Sequence, residues 1–212
     1  MTHTTKLATA AVLVTHAVES YETWKRAFDG HAGARHGAGI VATHINRRAD
    51  NPNLVSVYLA ATDAAKLDAF LSSADLKETM KGAGVKGPPQ VAKITPVEDL
   101  TVKDRPLPAA IVRHEVSDYA AWKRSFDGHA DARARAGIVG HAVNVSAEHP
   151  NVVVAYLQAE SPDALRAFAS SPDLKEWAER LSSAWGDTRS RTLGLVHGRA
   201  CLRRGSAVER KR

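Results

Sequence analysis

The chain has 212 residues, 44% hydrophobic and 25% charged, the balance of a globular protein long enough to bury a substantial core. Its one cysteine, Cys201, excludes an intrachain disulfide and fits a reducing, cytoplasmic setting; no apolar run approaches the roughly 20 residues that span a bilayer. The net charge of +6 sits at one end: from Arg199 to Arg212 six Lys or Arg face a single Glu, so the rest is nearly neutral and lacks the basic stripe of a nucleic-acid-binding body.

Residues 11–18 alternate as a strand does, with Val12, Val14, His16 and Val18 on one face and Leu13, Thr15 and Ala17 on the other. Ser20 can cap a helix over 21–36. Ala38-Gly39 ends it and opens a strand over Ile40–Arg47. A turn rich in Asp, Asn and Pro follows at 49–52, then a strand over Leu54–Ala61. Thr62-Asp63 begins a helix carrying Leu67, Phe70 and Leu71, and Ser73 caps a second short helical piece. Gln90–Val97 reads as a fourth strand.

The whole pattern then recurs. YETWKRAFDGHAGARHGAGIV at 21–41 returns as YAAWKRSFDGHADARARAGIV at 119–139, and from Ala11/Ala109 to Met80/Ala178 36 of 70 pairs at an offset of 98 are identical. That period is too long for a solenoid and fits two whole modules. The apolar stretch Leu7–Val14 has a mid-chain counterpart from Pro108, so it reads as strand and not as a targeting segment. The chain divides into a first module (1–98), a linker (99–108) with two prolines and four charges that reads as extended and exposed, a second module (109–198) with Arg191–His197 as its last strand, and a basic disordered tail (199–212). Each module has the order β-α-β-β-α-β, the ferredoxin-like split βαβ unit of the α+β class. Strands such as Leu54–Leu59 are apolar on both sides, and a second copy of the same sheet is the obvious cover. This predicts a monomeric pseudo-dimer, open to further homodimerisation.

The first helix carries the candidate chemistry. Tyr21, Trp24, Phe28, His31 and Arg35 form one stripe, repeated as Tyr119, Trp122, Phe126, His129 and Arg133. Polar groups inside an apolar stripe need a partner or a purpose. His31 and His129 can act as general bases in a pocket between helix and sheet, Arg35 and Arg133 can hold an oxyanion or carboxylate, and Trp24 and Trp122, with Phe28 and Phe126 beside them, can stack on an aromatic substrate. A structural reading stands beside this one: a histidine held by the helix end and an arginine reaching back along it. His16 and His114 are pocket residues or, as the pattern favours, core histidines bonded to backbone. Tyr58 and Tyr156 can supply a hydroxyl; Asn46 and Asn144 can donate into a pocket or hold a turn. His44 and His141 do not align, which argues against a shared role. No histidine or cysteine spacing matches a metal-ligand set, and no glycine-rich phosphate loop or nucleotide fingerprint is present.

The string Y-x-x-W-K-x-x-F-D-x-H, followed by A-G-I, N-P-N, S-x-D-L-K-E and G-V-x-G-P-P, resembles the dimeric α/β-barrel superfamily, and within it the small antibiotic biosynthesis monooxygenase-like proteins. The resemblance spans residues 9–98 and 107–198. It implies two modules meeting as an α/β barrel, here within one chain, and cofactor-independent oxygenation of a small hydrophobic, aromatic metabolite. It also admits a polyketide cyclase or isomerase using the same base, a non-catalytic haem or small-molecule binding protein, and a structural or stress-related subunit. The second copy replaces G-V-x-G-P-P with Leu181–Ser190, which includes Trp185, so the first copy is the better candidate for an active site.

Overall fold

The computed structural model describes residues 8–177 and 189–200. The first half runs β1 (Ala10–Val18), α1 (Tyr21–Gly30), α2 (Ala32–Gly37), β2 (Ile40–Arg48), β3 (Leu54–Ala61), α3 (Ala64–Ser72), α4 (Ala74–Gly82) and β4 (Val85–Leu100). The second runs β5 (Pro108–Glu115), α5 (Tyr119–Gly128), α6 (Ala130–Arg135), β6 (Ile138–Ser146), β7 (Val152–Ala159), α7 (Pro162–Ala169), a helical stretch over 172–177, and β8 (Arg189–Ala200). No helix of the described residues is long and apolar enough to cross a membrane.

All eight strands pair antiparallel and close into a barrel in the order β1-β3-β2-β8-β5-β7-β6-β4. Each half thus supplies four neighbouring strands, and the seams are β2–β8 and β4–β6. Ala11 pairs with Ile94, whereas Ala109 pairs with Val196. The first residues of these pairs are 98 apart and the second 102, so the second half carries four extra residues ahead of its last strand. The divergent segment Leu181–Ser190 lies outside the described residues up to 188, as do Cys201 and the basic tail beyond it; Arg199 and Ala200 belong to β8.

Strand alternation sorts the apolar residues into separate cores. Val12, Val14, Val18, Val55, Val57 and Leu59 face α1 and α3, where Trp24, Leu67 and Phe70 cover them. Val143, Val153 and Leu157 likewise meet Trp122, Leu165 and Phe168. The opposite faces of both sheets meet inside the barrel through Ala11, Leu13, Ala60, Ile94, Ala109, Ile111 and Val154. The double-sided apolar strands therefore have two partners each, as antiparallel strands buried on both faces require.

Three expectations shift. The first helix is not continuous to residue 36: it breaks at His31, whose backbone (φ −86°, ψ 14°) ends α1 and starts α2. The fourth strand is longer than Gln90–Val97 and absorbs Pro88-Pro89 beside a register shift opposite Thr15 and Ala17, where proline's missing donor costs no ladder bond. The segment read as an exposed linker is strand up to Leu100. Beyond that, Gln158 grips Val102, accepting from its N–H at 2.7 Å and donating to its carbonyl at 3.2 Å, and Leu107 is buried. Asp99 and Leu100 are themselves exposed on the strand, and beyond them only 103–106 are. Gly140 makes room for this clamp, since a Cβ there would stand 2.5 Å from the Gln158 amide oxygen.

Candidate functional site

Between α1–α4 and the outer face of the first half's sheet lies a cavity of about 710 Å³, its open mouth included. Its wall is mostly aliphatic, from Val14, Val57, Leu59, Leu71, Met80 and Val91. Four polar residues enter it: His16 from β1, His31 from the α1–α2 break, Arg35 from α2 and Thr79 from α4. Trp24 and Phe28 complete it, their rings stacked with centroids 5.0 Å apart. Five of the sequence candidates, His16, Trp24, Phe28, His31 and Arg35, are thus brought to one place.

His31 is held by a residue that sequence reasoning passed over. Its Nε2 lies 2.7 Å from Asp75 Oδ2. Asp75 sits in the first turn of α4, where the helix dipole favours its charge and Ser73 caps the backbone. A carboxylate only accepts, so Nε2–H donates and Nδ1 carries the ring's lone pair. The signal was available: Asp75 recurs as Asp173 within the repeated D-L-K-E, but only the fold brings it within reach of the helix.

His16 departs from the expectation of a backbone-bonded core histidine. It is only 7% exposed, its ring lies 5.6 Å from that of Trp24, and neither ring nitrogen has a hydrogen-bond partner in the protein. Burial holds its pKa down to about 4, so at neutral pH it is an uncharged imidazole with a donor and an acceptor to offer. Arg35 takes a structural post: its guanidinium lies 3.7 Å above the Phe28 ring and donates to the Phe28 carbonyl at 2.5 Å, satisfying one of α1's terminal acceptors. Arg133 does the same for Phe126.

The remaining candidates go elsewhere. Asn46, Tyr58, Asn144 and Tyr156 point into the barrel, where with His44, Asp99 and Thr101 they line a second cavity of about 580 Å³. Strand phase separates the sets: Tyr58 alternates with Val57 and Leu59, which face the helices, whereas His16 is in phase with Val14. Tyr156 donates to Asn46 Oδ1 at 3.2 Å, joining the two halves, and Asn144 donates to the Val154 carbonyl. Burial pushes the Tyr156 hydroxyl up to about 12 and raises Tyr58, so both stay protonated; burial lowers His44, with Asp99 opposing and Lys103 adding to the shift. His141 instead bonds Glu98, which Lys123 also meets at 2.9 Å.

In the second half Trp122 and Phe126 stack as their counterparts do, and His114 lies 5.5 Å from Trp122 with its pKa lowered to about 4 by burial. The difference is Trp177, aligned with Thr79. Its indole stacks on His129 at 5.5 Å and donates to the Ser125 carbonyl at 3.3 Å. Among the described residues no group of three or more His, Cys, Asp or Glu is placed to hold a metal ion.

Barrel and helix layer together define the class: the chain has the fold of the ferredoxin-like, dimeric α/β-barrel proteins. No protein-family model and no curated protein matches the sequence. Among solved structures it is similar to an anthrone oxidase-like protein (TM-score 0.61, 13% identity, covering 96% of this chain and 98% of that one). It is also similar to an uncharacterised ferredoxin-fold protein related to antibiotic biosynthesis monooxygenases from Listeria monocytogenes (0.51, 10%, 92% and 98%), and to a mutant chlorite dismutase from Candidatus Nitrospira defluvii (0.55, 10%, 91% and 92%). At these identities the likeness is one of fold.

Proposed function

We propose that the chain is a single-chain pseudo-dimer and a cofactor-independent monooxygenase-like enzyme. Its substrate is a small, hydrophobic, aromatic metabolite, and its base is His31 in the helix–sheet cavity of the first module. One observation carries this reading: an aliphatic cavity holding a carboxylate-oriented histidine and a second, unpartnered one. Such a site offers few hydrogen bonds and places a proton acceptor against whatever fills it.

The chemistry then needs only the substrate and dioxygen. His31 Nδ1 removes a proton from an activated C–H or phenolic O–H, and Asp75 steadies the imidazolium. The substrate anion passes an electron to dioxygen, and the two radicals combine at carbon as a peroxide, which takes the proton back. Loss of the second C–H proton with cleavage of the O–O bond leaves a carbonyl and water, so that R2CH2 and O2 give R2CO and H2O. His16, neutral at working pH, can accept from or donate to the substrate oxygen without introducing charge.

Oxygen uptake with an anthrone as substrate tests the proposal. The expected result is one quinone formed per dioxygen consumed, lost in His31→Gln. Turnover of the substrate without oxygen uptake would move the assignment to a cyclase or isomerase using the same base. Tight binding without turnover would make the protein a carrier.

A further inference from the structure

We propose that Trp177 is a built-in occupant of the second module's pocket, so that the chain has one open site, and that this site takes a flat aromatic of two-ring size lying on His31 as the Trp177 indole lies on His129. The inference rests on the functional reading of the first cavity and adds to it the number of sites and the shape of the ligand.

The two modules offer the comparison within one molecule. Around the first cavity, Thr79 lines the wall and Phe28, His31 and Arg35 are only partly buried. At the aligned positions of the second module, Trp177 replaces Thr79, Phe126 is 4% and Arg133 5% exposed, and Trp177 itself is 8% exposed. Five lining pairs are the same residue, Trp24/Trp122, Phe28/Phe126, His31/His129, Arg35/Arg133 and Phe70/Phe168, whereas Val57, Leu71 and Met80 of the first cavity align with the smaller Ala155, Ala169 and Ala178. Exchange of a small hydroxyl residue for an indole thus coincides with burial of Phe126 and Arg133, while His129 stays partly buried as His31 does.

The indole also reports what the space accepts. It lies 26° from parallel to the His129 ring, and its one polar atom donates to the carbonyl of Ser125 in the last turns of α5. Ala27 is the equivalent residue on α1, and its carbonyl faces the same helix break. A ligand in the open site would copy this arrangement: a planar ring face against the His31 imidazole, an N–H or O–H donor towards the Ala27 carbonyl, and His16 at its other side.

The test is calorimetric titration of the whole chain with 1-naphthol, a neutral two-ring aromatic carrying one donor. The wild type should bind one equivalent, Thr79→Trp none, and Trp177→Thr two, with circular dichroism confirming that each variant is folded. Two equivalents in the wild type, or one equivalent surviving in Thr79→Trp, would overturn the plug. No binding to any folded form would instead remove the cavity's role as a ligand site, which separates failure of the functional reading from failure of this one. Should Trp177→Thr not fold, the wild type and Thr79→Trp decide the matter alone.

Discussion

His31 Nε2 stands 2.7 Å from the Asp75 carboxylate, joining the break between α1 and α2 to the first turn of α4. Asp75 is 71% exposed at its side chain, so the bond adds little to stability. Its consequence lies in orientation, because it selects which imidazole nitrogen is free. Asp75→Asn, which can present a donor where an acceptor is needed, should lower kcat roughly tenfold with KM unchanged. That is less than the ~10⁴ loss known where such a carboxylate is buried. Asp75→Glu should recover most of the rate. Equal kcat in the wild type and Asp75→Asn would reduce the pair to a surface contact.

His16 makes stability depend on pH. Unfolded, it takes up a proton near pH 6.5; folded, burial delays this to about 4. The unfolded state therefore holds more protons between those values, and stability falls as pH falls through that window. This stability is fully present above pH 6.5, and at most about 3 kcal/mol of it is lost by pH 4. His114 shifts in the same direction. Denaturant unfolding at pH 7 and pH 4.5 should show a smaller drop for His16→Leu than for the wild type. An identical drop would mean that His16 is not the buried group its position indicates.

The pairing of Tyr156 with Asn46 spans the two halves inside the barrel, away from the helix–sheet cavity. Tyr156→Phe removes one neutral hydrogen bond and should cost about 1 kcal/mol. Turnover by the first module should be unaffected. A loss of kcat beyond a few-fold at unchanged stability would show that the barrel interior takes part in the reaction.

Sequence and structure agree most where periodicity and repetition speak. The 98-residue register predicted two β-α-β-β-α-β halves, and Leu54–Leu59, apolar on both sides, predicted cover on both faces. The stripe from Trp24 to Arg35 supplied four residues of one cavity. What stayed hidden was long-range. Asp75 is 44 residues from His31, and no local pattern links a helix end to the first turn of a later helix. Tyr58 and Asn46 were legible as polar strand residues, yet their side of the sheet follows only from counting phase against Val57 and Ile45. Gln158, which grips Val102 from 56 residues away, gave no sign that the connection between the halves is clamped. Trp177 stands where the first copy has Thr79, and no local pattern ties its indole to His129.

The two stripe histidines should therefore behave differently despite their closely similar surroundings in sequence. His31 faces an open cavity and is oriented by Asp75, whereas His129 is covered by the Trp177 indole. His31→Gln keeps a polar side chain but removes a base, and should cut turnover by about 10²–10⁴ while leaving the melting temperature nearly unchanged. His129→Gln exchanges a stacked ring for a flexible amide beneath the indole. The lost ring contact should cost about 1 kcal/mol in stability and leave turnover at the wild-type level. Both enzymes are assayed for oxygen uptake and for thermal unfolding, so each histidine gives a pair of values. Equal losses of activity in the two variants would mean that both modules turn over substrate, and unchanged activity in both would take His31 out of the chemistry.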